Sequence, residues 1–325
     1  MENKENKGLT LSIIFEADSA NYGEGYGNVS ALKRISRADG NSYTYISRQA
    51  LIYSLKSNLG WLNTETAAQG KVAQYTWDSN IKESPEIDLF GYMKTKSKDK
   101  TKSKDKTKSK NKDKKVTEDE DENKKGEQKI RAAVVRFSNA ISLENYSGDM
   151  EFGTNLSLAN RTPDKKGLLP YNAEIHKSYY AYTVTVDLDL VGVDKNDGIN
   201  LQKDNIQECK DRIIKLLEGI EFLHREIKAD SKNMNPIFAI GGIYNIKNPF
   251  FANRLELSEY KKLNISLIKE ILDSINSKDM GKTYIGCLLE KFSNGNEIKS
   301  ELKSESIVNF FNKLREEVNN YYASN

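Results

Sequence analysis

The segment Lys94–Lys129 is so rich in charge that it divides the chain into two parts that must fold together across it. It repeats TKSKDK from Thr95 to Lys106, continues as TKSKNK, and then carries an acidic run from Glu118 to Glu122. Nothing in such a segment offsets the entropy cost of ordering its backbone. We therefore expect a disordered surface loop, which is either a tolerated insertion or a basic tether that contacts phosphate.

The same segment accounts for the positive net charge of the chain. The protein has 325 residues and a formal net charge of +3, and Lys94–Lys129 contains 15 lysines against 9 acidic residues. The rest of the chain is therefore slightly acidic. A nucleic-acid surface on the folded body has to be a local cluster of cations and not a global bias.

Several classes of protein are excluded by composition. No apolar run approaches the roughly 20 residues of a membrane-spanning helix, and the charged N-terminus predicts no signal peptide. The two cysteines, Cys209 and Cys287, form no CxxC pair, and no His/Cys cluster has the spacing of a zinc site. We expect a cytoplasmic protein without disulfides, cofactor or membrane partner.

One strand is predicted more clearly than any other. From Tyr180 to Leu190 every second residue is apolar, while Thr183 and Thr185 lie on the other face. Asp187 and Asp189 share that second face; they are able to hold a metal, but such a pair is more often solvated or paired with lysine. The pattern predicts further strands at Leu9–Glu16, Ile130–Phe137, Pro236–Tyr244 and Thr283–Phe292, a hairpin with arms Val29–Ser36 and Ser42–Ile46, and helices between Ser47 and Gly60 and at Asp204–Ile227, Ser266–Ile275 and Ser306–Tyr321.

The order of these elements predicts an α+β fold. The core reads strand, helix, strand, strand, helix, strand, which is the split βαβ order of ferredoxin-like and RNA-recognition (RRM-like) folds. Two large insertions interrupt it, at Trp61–Lys129 and Ser138–Ser178. The core would then comprise residues 1–60, 130–137 and 179–325.

Cations and tyrosines are interleaved from Lys33 to Lys56, a stretch that contains one acid, Asp39. Guanidinium and ammonium groups bind phosphates, and tyrosine rings stack on unpaired bases at roughly 1–3 kcal/mol each. This pattern predicts a surface that binds single-stranded nucleic acid. A hairpin and helix that are merely exposed to solvent would show the same pattern of residues. Its members are Lys33, Arg34, Arg37, Arg48 and Lys56, with Tyr43, Tyr45 and Tyr53.

Several segments resemble the DevR family of CRISPR-associated backbone subunits, the Cas7 group of the RAMP superfamily in type I-B Cascade complexes. The segments are LTLSIIFEADSANYGEGYGN, LKRISRADGNSYTYISRQALIYSLK, FGYM, AAVVRFSNAISLENYSGDMEFGTNLSLANR and EIHKSYYAYTVTVDLD. The resemblance covers most of Leu9–Leu190. YISRQA at Tyr45–Ala50 and RFSNAISL at Arg136–Leu143 are its most specific motifs.

This resemblance implies a non-catalytic subunit of antiviral defence. Copies of the chain would stack head-to-tail in a helical filament along one CRISPR RNA and present it for pairing with target DNA, together with other Cascade subunits. It also implies a palm with the RRM-like fold, a finger insertion at 61–129 and a thumb insertion at 138–178.

The resemblance and the residue chemistry together predict which side chains contact RNA. Such a protein has to grip phosphate and sugar and leave base edges free. Glycines would let the backbone approach the strand closely, and apolar thumb residues would separate stacked bases, although Phe152 could equally pack onto the palm. The predicted set is Lys33, Arg34, Arg37, Tyr45, Ser47, Arg48, Gln49 and Lys56 for RNA binding, Gly23, Gly25 and Gly27 for close approach, and Met150, Phe152, Leu156 and Arg161 in the thumb.

Two other functions remain open at this point. Type III backbone relatives are metal-dependent ribonucleases with a catalytic aspartate after the first strand, and Asp18 and Asp39 lie in the corresponding stretch. The protein would otherwise be a stand-alone regulator that binds single strands as a small discrete complex.

Overall fold

The computed structural model describes residues 7–96, 127–164, 167–276, 279 and 282–324. Within these ranges no helix is long and apolar enough to cross a membrane. The strands are β1 (Gly8–Asp18), β2 (Val29–Ser30), β3 (Arg34–Ser36), β4 (Ser42–Ile46), β5 (Thr66–Gln69), β6 (Val72–Tyr75), β7 (Tyr92–Lys96), β8 (Glu127–Arg131), β9 (Val135–Phe137), β10 (Ala140–Ser142), β11 (Met150–Thr154), β12 (Pro170–Glu174), β13 (Lys177–Asp187), β14 (Val193–Asp194), β15 (Ile199–Asn200), β16 (His224–Ile227), β17 (Asp230–Asn233), β18 (Pro236–Tyr244), β19 (Leu257–Ser258), β20 (Lys262–Leu263) and β21 (Thr283–Cys287).

Most of the described α-helices pack on one or the other face of one large sheet. They are α1 (Arg48–Asn58), α2 (Pro85–Phe90), α3 (Leu156–Ala159), α4 (Leu201–Asp204), α5 (Ile206–Glu221), α6 (Ile265–Asn276), α7 (Gly295–Leu302) and α8 (Ile307–Ala323).

The large sheet contains eight strands in the order β21-β18-β1-β13-β10-β4-β3, with β9 also paired to β13. Every pair in it is antiparallel. The protein is thus a mixed α and β structure built on an antiparallel sheet, as the strand pattern predicts.

Each face of the sheet has its own apolar core, because successive side chains of a strand point to opposite sides. On the first face, Leu11 and Ile13 of β1 and Tyr182 of β13 pack against α1, α5 and α8. On the second face, Ile14 and Tyr179 pack against α6 and the segment that precedes it. The second core covers the β21, β18 and β1 side of the sheet, so part of β10 and β4 is less covered.

Several predicted elements are confirmed. The strand at Pro236–Tyr244 is present at those residues and is buried along its whole length. Ser47 caps α1 by accepting a hydrogen bond from the Ala50 backbone N–H at 3.3 Å, and Gly60 follows the helix with a left-handed φ of 67°. The hairpin around Gly40 forms between β3 and β4.

Other predicted elements are wrong in extent. The strand expected at Ile130–Phe137 is two short strands, β8 and β9, which pair with different partners. The helix expected at Asp204–Ile227 ends at Glu221, and its last part forms the β16–β17 hairpin. The turn of that hairpin has two left-handed non-glycine residues, Lys228 and Ala229, so no glycine marks it in the sequence.

Three further boundaries differ from the prediction. The strand from Tyr180 ends at Asp187 and continues as a 3-10 turn through Leu190. β21 ends at Cys287, short of Phe292. The first arm of the predicted hairpin is split, because β2 leaves the sheet and pairs in parallel with β12.

Both ends of the segment predicted as a disordered loop, Lys94–Lys129, belong to strands. Residues 94–96 and 127–129 are paired strands of the β7–β8 hairpin, and residues 97–126 lie outside the described residues. Lys94 is fully buried, which the charge pattern did not predict; its ammonium donates to the carbonyl of Ser79 and lies 4.3 Å from the centre of the Tyr92 ring.

The segment expected as an insertion at Ser138–Ser178 begins in the sheet. β10 pairs with both β4 and β13. The part that leaves the sheet is the hairpin of β11 and β12 with the short helix α3 between them. We call residues 150–174 the protruding hairpin.

Candidate nucleic-acid interface

The second face of the sheet carries two tyrosines beside small and aliphatic residues, and of these Tyr43 is buried whereas Tyr45 is half-buried. The register pairs Tyr45 with Ile141, and Ile141 with Ala181. Tyr43 is two residues from Tyr45 on β4, so both rings belong to this face. The sequence placed these tyrosines in a cation-rich segment, and the structure assigns them one side of one strand.

Arg37 lies on this face at the tip of the β3–β4 hairpin. Its guanidinium stacks 4.2 Å from the centre of the Tyr43 ring. The Tyr43 hydroxyl donates to Asp39 at 2.6 Å, and this hydrogen bond lowers the pKa of Asp39 and raises that of Tyr43. The nearby charge of Arg37 also lowers the pKa of Asp39. Arg37 is exposed at the hairpin tip, so a phosphate can reach its guanidinium.

A cleft opens on the same face. The floor is formed by β10 and β13, at Ile141, Ala181 and Thr183, and the wall by the segment Phe251–Leu257, which stands over the sheet. Its volume is about 410 Å³, and Arg37 and Tyr43 line its edge. We call it the sheet cleft.

Arg34 lies on the opposite face, because β3 places it next to Thr44. Its guanidinium forms an ion pair with Glu174 at 3.2 Å and stacks 4.9 Å from the Tyr146 ring. The structure therefore does not bring Arg34 and Arg37 together as one cluster. Side chains alternate along a strand, so two residues that are three positions apart lie on different faces. The prediction of one cationic cluster did not take this alternation into account.

The remaining members of the predicted set are distributed along α1. Lys56 forms an ion pair with Glu86 at 2.6 Å in a largely buried position, so its charge is already neutralised. The Ser47 hydroxyl is occupied by the helix cap and by Asn21. Arg48 and Gln49 are exposed in the first turn of α1, and the Arg48 backbone N–H donates to Asn139 at 2.9 Å.

Arg37 and Arg48 mark the two ends of β4. The strand has five residues, so at about 3.4 Å per residue its ends are roughly 15 Å apart. Tyr43 and Tyr45 lie between them. Lys33 precedes β3, and its carbonyl accepts from the Tyr45 N–H at 2.9 Å. This arrangement places two exposed cations beyond the ends of β4, which suits the phosphates of an extended polyanion. Tyr43 is buried beneath Arg37 and is not available to stack on a base.

The three glycines lie in a small hairpin from Asn21 to Lys33. Gly27 has a left-handed φ of 58° in its turn, and a side chain on Gly25 would meet the Val29 carbonyl at 2.7 Å. Gly23 has room for a side chain. The turn therefore explains Gly25 and Gly27 but not Gly23. It presents Tyr26, which is 92% exposed and which the sequence did not single out.

The protruding hairpin carries a group of exposed apolar side chains. Phe152 is 67% exposed, so it does not pack onto the sheet. Arg161 is exposed beyond α3. The exposed apolar residues here are Met150, Phe152, Leu156, Leu158, Leu168, Leu169 and Tyr171.

Glu174 joins the two small hairpins to the sheet. Its carboxylate accepts from the Leu32 N–H at 2.8 Å in addition to the ion pair with Arg34. Its carbonyl accepts from the Tyr22 hydroxyl at 3.1 Å. Arg34 thus positions the protruding hairpin, a role that only the folded structure reveals.

The candidate carboxylates have cationic or hydroxyl partners. Asp18 forms an ion pair with Lys232, and Asp39 is bound to Tyr43 as described above. Asp187 pairs with Arg136 at 2.8 Å and Asp189 with Lys247, as the lysine-paired interpretation predicts. Among the described residues, no group of three or more His, Cys, Asp or Glu side chains is placed to hold a metal ion.

Sequence reasoning missed the wall of the cleft. Phe251 and Leu255 are buried against the second core, while Asn253 and Glu256 are exposed at the cleft. Asn253 has a left-handed φ of 58°. The segment has neither a strand nor a helix period, so only the fold brings it over β10 and β13.

The comparisons with known proteins agree with these features. The family model for the CRISPR-associated negative auto-regulator DevR/Csa2 matches residues 9–264. A curated relative from Myxococcus xanthus (strain DK1622), the CRISPR-associated protein Cas7/Cst2/DevR, is 27% identical over 173 residues. That match covers 49% of this chain and 50% of the relative, so the chain spans about half the length of the curated relative it matches.

A chain of a solved CRISPR RNA-guided surveillance complex shares the fold. Its TM-score is 0.53 at 10% sequence identity, with 98% of this chain and 99% of that chain covered. The resemblance predicted from the sequence motifs is confirmed by the family match over most of the chain. The protein belongs to the CRISPR-associated DevR/Csa2 family.

Proposed function

We propose that the protein is a non-catalytic backbone subunit of a type I-B Cascade complex, which binds CRISPR RNA and presents it to target DNA. Membership of the DevR/Csa2 family supports a role in a CRISPR complex. The observation that carries the binding role is the pair of exposed guanidinium groups, Arg37 and Arg48, beyond the two ends of β4, with the partly exposed Tyr45 between them.

The sheet would serve as an RRM-like palm. Four strands of the sheet correspond to the four strands of the predicted core: β1 is the first, β9 the second, β13 the third and β18 the fourth. Their order across the sheet is fourth, first, third, second, which is the antiparallel order of the split βαβ arrangement. α1 and α5 pack on the same face, as its two crossover helices do. The finger region would comprise residues 61–129, and the thumb would be the protruding hairpin within 138–178.

In this arrangement the protein grips the RNA backbone and does not read its sequence. Arg37 and Arg48 bind phosphates, and Lys33 and Gln49 lie close enough along the same elements to contribute. Exposed Phe152 and Met150 of the protruding hairpin would separate stacked bases.

A second copy of the chain and other Cascade subunits would be its protein partners. Identical copies that meet through different surfaces form an open helical array instead of a closed ring. Such an array matches a long single strand that each copy holds in the same way.

Removal of the positive charges of Arg37 and Arg48, at the two ends of β4, tests the proposed binding of RNA phosphates, which we call the grip. In the Arg37→Ala/Arg48→Ala double variant, affinity for single-stranded RNA should fall equally for unrelated sequences. The salt dependence of log K should become shallower by about 0.7 per lost phosphate contact, or about 1.4 in total. The matched control is Lys269→Ala/Lys299→Ala, which removes two exposed cations on α6 and α7.

Two results would contradict the grip. One is an unchanged salt slope in the arginine variant, and the other is a wild-type protein that strongly prefers one RNA sequence. Fluorescence anisotropy over a series of salt concentrations measures both quantities.

The ribonuclease alternative is tested separately. Cleavage of RNA in the presence of Mg²⁺ that disappears in Asp18→Ala or Asp39→Ala would replace the non-catalytic proposal. We expect no such cleavage, because Asp18 is paired with Lys232 and Asp39 with Tyr43. A stand-alone regulator, in contrast, would form one small complex on a long RNA, whereas a backbone subunit would form an array visible by electron microscopy.

A further inference from the structure

Within the described residues the large sheet has two edge strands, and only one of them is covered. At β21, the Glu305 N–H donates to the Ile285 carbonyl and the Glu305 carbonyl accepts from the Cys287 N–H, both at 2.9 Å. At the other edge, β3 is exposed along its whole length. An uncovered edge presents a row of backbone donors and acceptors to any extended chain that approaches it.

The free backbone groups of β3 belong to Arg34 and Ser36. In an antiparallel ladder, alternate residues of a strand turn their N–H and C=O groups toward the partner. The Lys33 carbonyl accepts a hydrogen bond from β4 at 2.9 Å, and the Arg37 N–H donates to Asn41 at 3.1 Å, so the odd-numbered residues of this segment face β4. The N–H and C=O groups of Arg34 and Ser36 therefore point away from the sheet, and no described residue bonds to them.

The protruding hairpin has a second open edge, at β11. The Ile175 N–H donates to the Asp149 carbonyl at 3.0 Å, so residues 149, 151 and 153 turn their backbone groups toward β12. The backbone groups of Met150, Phe152 and Thr154 face outward, and no described residue bonds to them. Met150 and Phe152 are 50% and 67% exposed. An exposed strand edge with apolar side chains is the kind of edge that pairs with another chain.

The two open edges cannot meet within one chain. The small sheet has the strand order β11-β12-β2, so the free edge of β11 faces away from β2. Since β2 leads directly into β3, β11 also faces away from the β3 of its own chain. A contact between these edges therefore joins two copies through different surfaces, and such a contact repeats along an array without closing.

The two edges are complementary when β11 runs parallel to β3 and Phe152 lies opposite Ile35. The four free backbone groups of β3 then meet free groups of β11, because each outward-facing residue bonds to the two residues that flank its opposite position. Phe152 lies beside Ile35, which is 37% exposed, and Glu151 lies beside Arg34. Apolar pairs and pairs of opposite charge between neighbouring strands both stabilise a sheet.

The parallel register also keeps Arg37 available for phosphate. In this register Thr154 lies opposite Arg37, so no carboxylate of β11 approaches the guanidinium. Two antiparallel registers would bond the same four groups of β3, and they place Asp149 or Glu151 opposite Arg37. Either carboxylate would neutralise the charge on which the grip depends.

From these observations we infer that β11 of one copy adds to the β3 edge of a second copy as a parallel strand. The small sheet of one copy thereby extends the large sheet of the next. This inference rests on the proposed function, in which copies line up on one RNA, and it names the two edges through which they meet.

The test is disulfide crosslinking of the full chain assembled on a long single-stranded RNA. Opposite residues of neighbouring strands are roughly 4.8 Å apart, which is within the Cα separation of roughly 4.4–6.8 Å that a disulfide needs. The native cysteines, Cys209 and Cys287, are both buried. We expect Ile35→Cys/Phe152→Cys to give a ladder of linked copies on a non-reducing gel, and each single variant to give none.

Ile35→Cys/Glu151→Cys is the matched control for the register. Residue 151 lies on the other face of β11 when Phe152 is opposite Ile35, so this pair should give no ladder. In an antiparallel register that places Glu151 opposite Ile35, the result would be the reverse.

A second variant tests the edge without engineered cysteines. Ser36→Pro removes an N–H that points away from β4, so the pairing within the chain remains. The protein concentration needed to form arrays on long RNA should rise about tenfold, the upper range for the loss of one hydrogen bond. Affinity for a short RNA that holds one copy should stay that of wild type. Ala68→Pro, which removes an outward N–H from the edge strand β5, is the matched control and should assemble as wild type.

The outcomes separate this inference from the proposed function. If arrays form on RNA but position 35 links to position 151, or to neither residue, the edge pairing is overturned and the proposed function survives. Unchanged assembly of Ser36→Pro overturns the edge pairing as well. If the wild type forms only small discrete complexes on long RNA, or does not bind it, the proposed function fails and the edge pairing fails with it.

Discussion

Removal of the Asp88 charge should destabilise the protein more than removal of any exposed charge. Asp88 is fully buried in α2 and accepts from Arg131 at 2.6 Å and from Arg212 at 2.9 Å. It also accepts from the Gly192 N–H at 2.9 Å. The cluster thereby connects α2, β8 and the Gly192 turn to α5.

The expected magnitude follows from what remains after the Asp88→Asn substitution. Asparagine presents an N–H₂ group to a guanidinium that needs an acceptor, so one buried cation loses its counter-charge. Breaking a buried ion pair in this way costs about 3–5 kcal/mol. Arg212 keeps a second partner, Glu208, at 2.9 Å, so we expect the lower end, about 3 kcal/mol. That is a large part of a typical stability of roughly 5–15 kcal/mol.

Urea denaturation followed by circular dichroism measures this difference. The control is Glu301→Gln, which breaks the Lys269–Glu301 pair on the surface, where the two side chains are 47% and 45% exposed. Exposed pairs contribute about 0–1 kcal/mol. If Asp88→Asn costs no more than Glu301→Gln, the role of the buried cluster as the fastening point of this region is refuted.

Three other side chains, Phe152, Lys56 and His176, are expected to respond differently to substitution. Phe152→Ala should change stability by no more than about 0.5 kcal/mol, since the side chain is exposed, but should abolish any regular pattern of base reactivity when bound RNA is chemically probed. Lys56→Ala should lower the free energy of unfolding by about 2 kcal/mol, measured by urea denaturation, because it leaves the buried Glu86 without its counter-charge, and should leave RNA affinity unchanged. Burial lowers the pKa of His176 below its ordinary 6.5, so the imidazole of the unfolded chain takes up a proton first as the pH falls. The contribution of His176 to the free energy of unfolding is therefore complete above pH 6.5 and is lost as the pH falls through the folded pKa. Urea midpoints at pH 7 and pH 5 should differ less in His176→Gln than in wild type.

The sequence predicts the central part of the fold because its signals are local. β1, β18 and the first part of β13 each have an apolar pattern that one strand explains. The cap at Ser47 and the glycine that follows α1 are equally local. The chain order of these elements then leaves few ways to assemble one antiparallel sheet.

The parts that the sequence does not predict depend on distant contacts. Buried Lys94 is acceptable only because the Ser79 carbonyl and the Tyr92 ring surround it. The end of α5 at Glu221 is followed by a hairpin whose turn contains no glycine or proline. In each case the determining partner lies on another element, so no pattern within the segment itself reports it.

The candidate site, too, has some features that the sequence predicts and others that depend on distant contacts. The sequence identifies the residue types of the binding segment, but only the register of β3 and β4 sorts them by face. Arg37 is then free to bind a phosphate, whereas Arg34 is committed to Glu174 and so to the position of the protruding hairpin. The proposed function therefore assigns the two arginines different roles: loss of Arg37 would weaken the binding of phosphate, while loss of Arg34 would remove the ion pair that positions the hairpin carrying Phe152. A protein that holds a single strand and also interrupts its stacking needs both roles, and under this proposal one short hairpin with a side chain on each face of the sheet couples them.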